Sequence, residues 1–444
     1  MKETRPIDLL IEAGYILTLD KDMRVLRDSA IAIDAGKILS ISPITASSDA
    51  PMYQARQVID AADCIVLPGL INAHTHISMS FFRGVADDLP LITWLRDYIW
   101  PLEDKFVNPE FVYDATLYGA AEMIKSGISY CNDMYFYGNE IAKALSKAGM
   151  RGQIGEAIIQ VILQNSGGLD TIGALARELS FEYRNNPLVD FCLAPHSIYT
   201  CDRQVLTRVA GIATKYDLPV HMHLSETQQE VLDCQKTHGR KPVHYLKETG
   251  LLEARCIFAH GVWVDEDEMD LLAEYGCSVV SCVDSNLKLA SGFAPIAGYY
   301  KHGVNVCLGT DGVASNNNLD LLAELDTFAK LHKALAKDPT FLPAPEALKT
   351  ITINAARALG RESELGSLEP GKAGDILILN SKSLSAQPLY NPYSQVVYAM
   401  GSEAVQDLII NGKIILKDKQ LTLLDEAALI KTAGSYSEKI RQGI

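Results

Sequence analysis

The sequence predicts a (β/α)8 barrel (a TIM barrel) carrying a small β-sandwich domain built from both chain ends. Three observations predict it. The middle of the chain alternates eight apolar, strand-like runs with helical segments, as expected of a parallel sheet covered on both faces. Both ends instead carry short strands with turns every ~8–12 residues, the mark of an all-β piece. At 444 residues, the chain is too long for one simple sandwich and suits a barrel with an appended domain.

In chain order, strands are predicted at Ile7–Ile11, Tyr15–Leu19, Ala30–Ile33 and Lys37–Ile41, the last after an Asp34-Ala35-Gly36 turn. The eight barrel strands are predicted at Ile65–Ala73, Ile128–Asn132, Gly152–Ile158, Val189–Leu193, Leu218–His223, Cys256–His260, Ser278–Cys282 and Val304–Gly309. The clearest helix is Pro109–Ser126, with Asn108 to cap it, proline at its first position and Gly127 to end it. Strands return at Asp375–Leu379, Val405–Ile410 and Lys413–Leu416, the last two joined by the hairpin signal Asn411-Gly412. A closing helix is predicted over Leu424–Arg441. The domains expected are 1–66 with 367–424 (β-domain), 67–366 (barrel) and 425–444 (C-terminal helix).

Composition excludes several classes. The formal net charge is −15, which leaves no basic surface for nucleic acid or an anionic membrane. No apolar run is long enough to span a bilayer, and the N-terminus lacks a signal-peptide core. The nine cysteines form no CxxC pair and sit mostly in apolar runs. They read as small buried hydrophobes in a reducing cytoplasm. Assembly with identical copies is expected on general grounds alone.

The chemistry lies in histidines. There are ten, and His74, His76, His221, His223 and His260 fall at the C-terminal ends of predicted strands. His196 falls just past the fourth strand and Asp311 just past the eighth. Active sites of such barrels lie at that face. Residues two apart on a strand share a face, so His74 and His76 can offer two imidazoles to one ion. An HxH pair alone is equally well read as two hydrogen-bonded histidines. Of His221 and His223 only one need be a ligand, and His221 is read as supporting. Glu226 follows where the strand becomes a loop, placed to carry protons beside a metal. Three imidazoles and a carboxylate suit one divalent ion, Zn²⁺ first and Fe²⁺ as the alternative, rather than Mg²⁺ or Ca²⁺. His238, His244, His302 and His332 are read as exposed and without function.

These residues resemble the amidohydrolase superfamily. The motifs are Pro68-Gly69-Leu70-Ile71-Asn72-Ala73-His74-Thr75-His76, the His223…Glu226 pair, His260 and Gly309-Thr310-Asp311, and the resemblance spans nearly the whole chain. Within it the chain looks closest to the 5′-methylthioadenosine/S-adenosylhomocysteine deaminases. Trp94 with Pro101-Leu102-Glu103, Pro195-His196-Ser197-Ile198-Tyr199-Thr200, Ser285-Asn286-Leu287-Lys288-Leu289 and Gly309 to Asn317 carry that closer likeness.

The resemblance implies that His74, His76, His223 and Asp311 bind one metal. It implies that Glu226 protonates the ring nitrogen beside the attacked carbon, and that His260 and Asp311 hold and deprotonate the water. Asp311 would also pass a proton to departing ammonia. His196 would contact the nucleoside, Glu103 would accept hydrogen bonds from both ribose hydroxyls, and Trp94 would line the pocket near the sugar. Without the resemblance, Glu103 is a solvated acid and Trp94 a core residue.

Departures from the family pattern are informative. Relatives accepting S-adenosylhomocysteine well carry arginines after the third barrel strand, whereas this chain reads Gly152–Ala157 and then Ser166-Gly167-Gly168-Leu169, with no arginine between Arg151 and Arg177. Lacking a bidentate cation for the amino-acid carboxylate, it is expected to prefer 5′-methylthioadenosine, adenosine or 5′-deoxyadenosine. Ile198 and Val283-Asp284 also depart, without a clear consequence. Two other readings compete. One is hydrolysis of a triazine, guanine or other aminated heterocycle, which would leave Glu103 without a diol. The other is a scaffold that lost catalysis, which would predict damaged ligands. The HxE…PCxxC zinc deaminases are excluded because both signatures are missing.

Overall fold

The computed structural model describes residues 5–44, 53–165 and 168–443. Its strands, in chain order, are β1 (Arg5–Leu17), β2 (Val25–Asp34), β3 (Lys37–Pro43), β4 (Tyr53–Pro68), β5 (Leu70–Thr75), β6 (Ile128–Tyr135), β7 (Arg151–Ile158) and β8 (Val189–Pro195). They continue with β9 (Val220–Leu224), β10 (Cys256–His260), β11 (Ser278–Ser281), β12 (Asn305–Leu308), β13 (Ile376–Asn380), β14 (Val405–Ile410), β15 (Lys413–Lys417) and β16 (Gln420–Leu421). Two eight-stranded sheets result. One runs β5 through β12 in sequence order, and the other runs β16-β15-β14-β13-β4-β1-β2-β3. The first is the barrel, and its adjacent strands from β7 to β12 are parallel. The chain falls into two compact units, Met1–Ile71 with Ala121–Tyr130 and Asp320–Leu424, and Asn72–Ala120 with Cys131–Leu319 and Asp425–Ile444.

In the first unit the two chain ends join through β4 and β13, which pair antiparallel from Pro68–Ile376 to Cys64–Asn380. One face of that sheet is apolar at every second residue, with Leu9, Ile11, Ala13, Ile31, Ile33, Ile376 and Ile378 in a common core. The two strands expected at Ile7–Ile11 and Tyr15–Leu19 are one strand, β1. The reason is Gly14: the register shifts between Ala13 and Tyr15, and a Cβ there would stand 2.0 Å from the Ala62 carbonyl. A glycine bulge keeps the strand continuous where a turn was expected. The run expected as one strand, Ile65–Ala73, is divided at Gly69 between β4 and β5. There Gly69 donates to Asp375 and Leu70 to Gly127, so the ladder partners change between neighbouring residues. The Asn411-Gly412 hairpin forms with both residues at positive φ, 52° and 72°. His332 is buried, not exposed as expected, because it lies on the core face of the helix Leu321–Ala336 with its ring 4.7 Å from that of Phe328.

In the second unit, the segment after β12 closes on β5. The Asn72 amide donates to Thr310 Oγ1 at 2.8 Å and accepts from Thr310 N at 3.0 Å, while Asp311 N donates to the His74 carbonyl at 3.1 Å. Gly309 makes this approach feasible: a Cβ there would lie 2.6 Å from His74 N. Gly309→Ala is therefore expected to cost about 1–3 kcal/mol of stability, read from the urea midpoint. An unshifted midpoint would mean that the seam is free to relax.

The helix Pro109–Lys125 starts with Asn108 Oδ1 accepting from Phe111 N at 3.0 Å. The C-terminal helix Glu426–Arg441 packs Tyr436 on Phe81, ring centroids 4.7 Å apart. All nine cysteines are free and buried. No helix among the described residues is long and apolar enough to cross a membrane.

Candidate metal centre and active site

The histidines and acids assigned to the site from the sequence lie in the second unit, at the C-terminal ends of barrel strands or in the segments that follow. His74 is in β5 and His76 directly follows it. His223 is in β9 and Glu226 just beyond, His260 ends β10, and Asp311 follows β12. Three of the backbone positions there are in the left-handed region without being glycine: Ser225 (φ 48°), His260 (73°) and Asp311 (59°). Such conformations cost of order 1–3 kcal/mol and collect at functional sites.

The side chains converge. His74 Nε2 and His76 Nε2 each lie 3.3 Å from Asp311 Oδ1. His74, His76 and Asp311 form one set of three possible ligand atoms mutually within 4.8 Å, and His74, His223 and His260 form another. The outer hydrogen bonds show what the inner nitrogens offer. His76 Nδ1 faces the Met134 carbonyl at 2.6 Å and His223 Nδ1 faces the His196 carbonyl at 2.8 Å. A carbonyl only accepts, so both Nδ1 atoms carry a proton, and in its neutral form each ring turns an Nε2 lone pair toward the cluster. With no ion between them, burial opposes a charge on His76 but the Asp311 carboxylate raises it to about 9. Those two Nε2 atoms are only 3.2 Å apart. His74 Nε2 is also buried without a hydrogen-bond partner. Lone pairs crowded together in this way fit a cation between them, and carbonyl-held imidazoles are the usual outer support of a metal site. His221 Nε2 lies 2.8 Å from His74 Nδ1, on the side away from Asp311, which is the supporting place read for it.

Asp311 is held by more than histidine. Ser285 Oγ and Ser315 Oγ donate to its Oδ2 at 2.7 and 2.8 Å. Burial opposes its ionisation, but the imidazoles of His74 and His76, each 3.3 Å from its Oδ1, prevail and keep its carboxyl well below the usual range. Glu226 is pushed the other way. Burial, and then the charge of Asp311, push its carboxyl up to about 8. Its Oε2 is 3.7 Å from His260 Nε2, and Ser291 Oγ donates to its Oε1 at 3.3 Å. Burial lowers His260, which faces the Asn286 amide at 3.1 Å. Burial also takes His196 down to about 3, so its ring is neutral. Its Nδ1 lies 3.1 Å from both Ser197 Oγ and Thr200 Oγ1.

Glu103 is half-buried on the helix Trp100–Phe106, and Tyr135 at the end of β6 donates to its Oε1 at 2.7 Å. Burial pushes Glu103 up to about 7. Trp94 is buried on the one-turn helix Leu91–Trp94, and no hydrogen bond or ring contact among the described residues joins it to the histidine cluster. In the stretch between Arg151 and Arg177, Glu156 accepts from Tyr137 N and Gly138 N at 3.1 and 2.6 Å. Ser166 and Gly167 of that stretch lie outside the described residues.

Sequence reasoning assigned no role to Ser285, Ser291, Ser315, Asn286 or Tyr135. Tyr135 could have been found, since it ends a barrel strand. Ser291 and Ser315 sit in loops and Ser285 and Asn286 on the six-residue helix Val283–Lys288, too short for a periodicity to mark them.

The profile of the amidohydrolase family matches residues 65–415. The chain belongs to the amidohydrolase family. A 5-methylthioadenosine/S-adenosylhomocysteine deaminase of Thermodesulfovibrio yellowstonii is 41% identical to this amidohydrolase over 432 residues, covering 97% of this chain and 98% of its own. A 5′-deoxyadenosine deaminase of Methanothermobacter thermautotrophicus is 40% identical, covering 94% and 95%. Among solved structures, an adenosine deaminase from Xanthomonas campestris with bound zinc is similar at a TM-score of 0.96 and 40% identity, covering 99% of this chain and all of that one.

Proposed function

We propose that this amidohydrolase deaminates an adenine nucleoside, giving the inosine analogue and ammonia. One observation carries the reading: His74 and His76 meet Asp311 Oδ1 at 3.3 Å in a cluster that fits one ion, and a second carboxyl stands beside it, Glu226 Oε2 at 3.7 Å from His260 Nε2. Burial and the Asp311 charge push Glu226 up to about 8 while Asp311 is held low, which suits the two to acid and base. Relatives named as deaminases of 5-methylthioadenosine, S-adenosylhomocysteine and 5′-deoxyadenosine support the substrate class.

His74, His76, His223 and Asp311 would hold one divalent ion, zinc first and iron as the alternative. When bound, such an ion supplies a water acidic enough to attack at neutral pH. Glu226 gives its proton to the ring nitrogen beside C6 as the water oxygen attacks C6. Asp311, with His260 beside it, takes one proton of that water and passes it to the exocyclic amine, which leaves as ammonia. The second water proton returns to Glu226 as the C6 carbonyl forms. Neutral His196 contacts the nucleoside, Trp94 lines the sugar side, and Glu103 accepts from the two ribose hydroxyls. Tyr135 fixes one Glu103 oxygen at 2.7 Å and so orients the other.

The 5′ substituent we favour is small and uncharged: 5′-methylthioadenosine, adenosine or 5′-deoxyadenosine ahead of S-adenosylhomocysteine. The segment between Arg151 and Arg177 holds no cation to pair an amino-acid carboxylate, and Glu156 adds a carboxylate of its own there. The domain limits we propose remain 1–66 with 367–424, 67–366 and 425–444. We also propose that the enzyme works in the cytoplasm, without nucleic acid or membrane, and with identical copies as its one partner class.

The test is a steady-state panel on metal-loaded enzyme, reading ammonia release for 5′-methylthioadenosine, adenosine, S-adenosylhomocysteine, guanine and an aminotriazine. Highest kcat/KM on 5′-methylthioadenosine or adenosine is expected. Glu103→Ala should then lower kcat/KM for ribosides by at least about 10–100-fold, the worth of one of the two charge-assisted hydrogen bonds lost, and leave free bases nearly unchanged. Activity confined to guanine or the triazine would overturn the substrate, and equal losses on bases and ribosides would remove Glu103 from sugar binding.

A further inference from the structure

The turn after β9 is fixed by a carboxylate that the chemistry above does not use. β9 ends at Leu224, so the amides of Ser225 and Glu226 have left the strand ladder. Both point at one side chain. Glu230 Oε1 accepts from Ser225 N at 2.9 Å, and Glu230 Oε2 accepts from Glu226 N at 2.8 Å. Glu230 is 8% exposed, in the first turn of the helix Gln228–His238, where its own amide donates to Thr227 Oγ1 at 3.2 Å. The other side of the same turn is held as well. The Ser225 carbonyl accepts from Val262 N at 3.1 Å and Trp263 N at 2.9 Å, across on the segment after β10. Ser225 itself sits at φ 48°, a conformation that persists only where its surroundings impose it.

A carboxylate suits this task. Its oxygens only accept, and two successive N–H groups match the two of them with charge-assisted bonds. We infer that Glu230 is a positioning residue for Glu226: it clamps the Ser225 and Glu226 amides and so sets where the Glu226 side chain enters the site. This rests on the proton-carrying role proposed for Glu226. Glu226 Oε2 stands 3.7 Å from His260 Nε2, while the Ser291 hydroxyl contact to its Oε1 is long, at 3.3 Å. The side chain therefore depends on its backbone for aim. Misplacement of a reacting group by about 1 Å can cost 10²-fold in rate.

The chain supplies its own control. Glu268 is also buried and makes the same kind of clamp, Oε1 accepting from Val243 N at 2.9 Å and Oε2 from Asp265 N at 3.4 Å. Neither of those partners has a part in the proposed chemistry. Glu230→Gln, Glu230→Asp, Glu268→Gln and Glu226→Gln would be compared with the unaltered enzyme, all metal-loaded. The readouts are metal content, thermal midpoint, and kcat and KM for 5′-methylthioadenosine. Glu230→Gln, whose amide turns an N–H toward one of the two donors, should lose about 10–100-fold in kcat, with KM within about threefold and metal unchanged. Glu230→Asp, which keeps the charge but shortens the reach, should fall between it and the unaltered enzyme. Glu268→Gln should lose stability alone.

If Glu230→Gln does not fold, a lowered kcat at near-constant KM in Glu230→Asp supports the clamp, and an unchanged kcat overturns it. An unchanged kcat in Glu230→Gln, or equal losses in Glu230→Gln and Glu268→Gln, overturns it too. Inactive Glu226→Gln beside normal Glu230→Gln removes only the clamp. Normal turnover in Glu226→Gln removes the proposed proton carrier, and the clamp with it.

Discussion

Glu226→Gln is expected to keep its fold and its metal and to lose about 10²–10⁴-fold in kcat, the usual worth of a positioned proton carrier. The amide is nearly isosteric and can still pair with Ser291, so little else should change. It cannot give a proton to the substrate ring. The pH profile carries the same information. Burial and the Asp311 charge push Glu226 up to about 8, so the donating acid form dominates at neutral pH and is lost as pH rises through that value. The activity of the unaltered enzyme should therefore fall on the alkaline side of about pH 8, and the residual activity of Glu226→Gln should lack that limb. A variant with normal turnover and the same alkaline limb would take Glu226 out of the reaction.

Removing the divalent metal is expected to abolish turnover and lower the thermal midpoint, with both restored by zinc. The structural reason is the crowding of acceptors. His76 Nε2 and His223 Nε2 are 3.2 Å apart with their protons committed to carbonyls on the far side of each ring. Without a cation between them, they repel or must take up a proton. A ligand bound only by the folded state adds about 2.7 kcal/mol at a hundred times its Kd, so loss of the ion should appear in the melting curve as well as in the rate. Elemental analysis, calorimetry and ammonia release on stripped and reloaded protein check this. Full activity in protein shown to be free of metal would end the metal reading.

The barrel was legible because its strands are apolar on both faces. Cys256–His260 was read to the residue, and β7, β9, β11 and β12 to within two residues at either end. The β-domain was less legible. The first part of β4 has an exposed, polar pattern that resembles a loop, and β1 was read as two strands because nothing local shows that Gly14 makes room for the Ala62 carbonyl. At the site, HxH, HxxE and the strand-end histidines announce themselves by residue type. Ser285, Ser315 and Tyr135 do not, because serine and tyrosine are ordinary loop and core residues until a carboxylate is found beside them.

By itself, then, the sequence determined the alternation of strands and helices, the face on which chemistry collects, and the identity of the nitrogen and oxygen donors. These depend on local periodicity and on side-chain chemistry, which each residue carries with it. Only the tertiary structure decided what surrounds the two carboxyls, and so the direction in which each is pushed. Asp311 and Glu226 are both carboxylic acids, and the chain does not say which one ionises. Burial acts on both, and the outcome turns on whether histidine donors or a like charge stand within a few ångströms, which is a property of residues far apart in the chain and close in space.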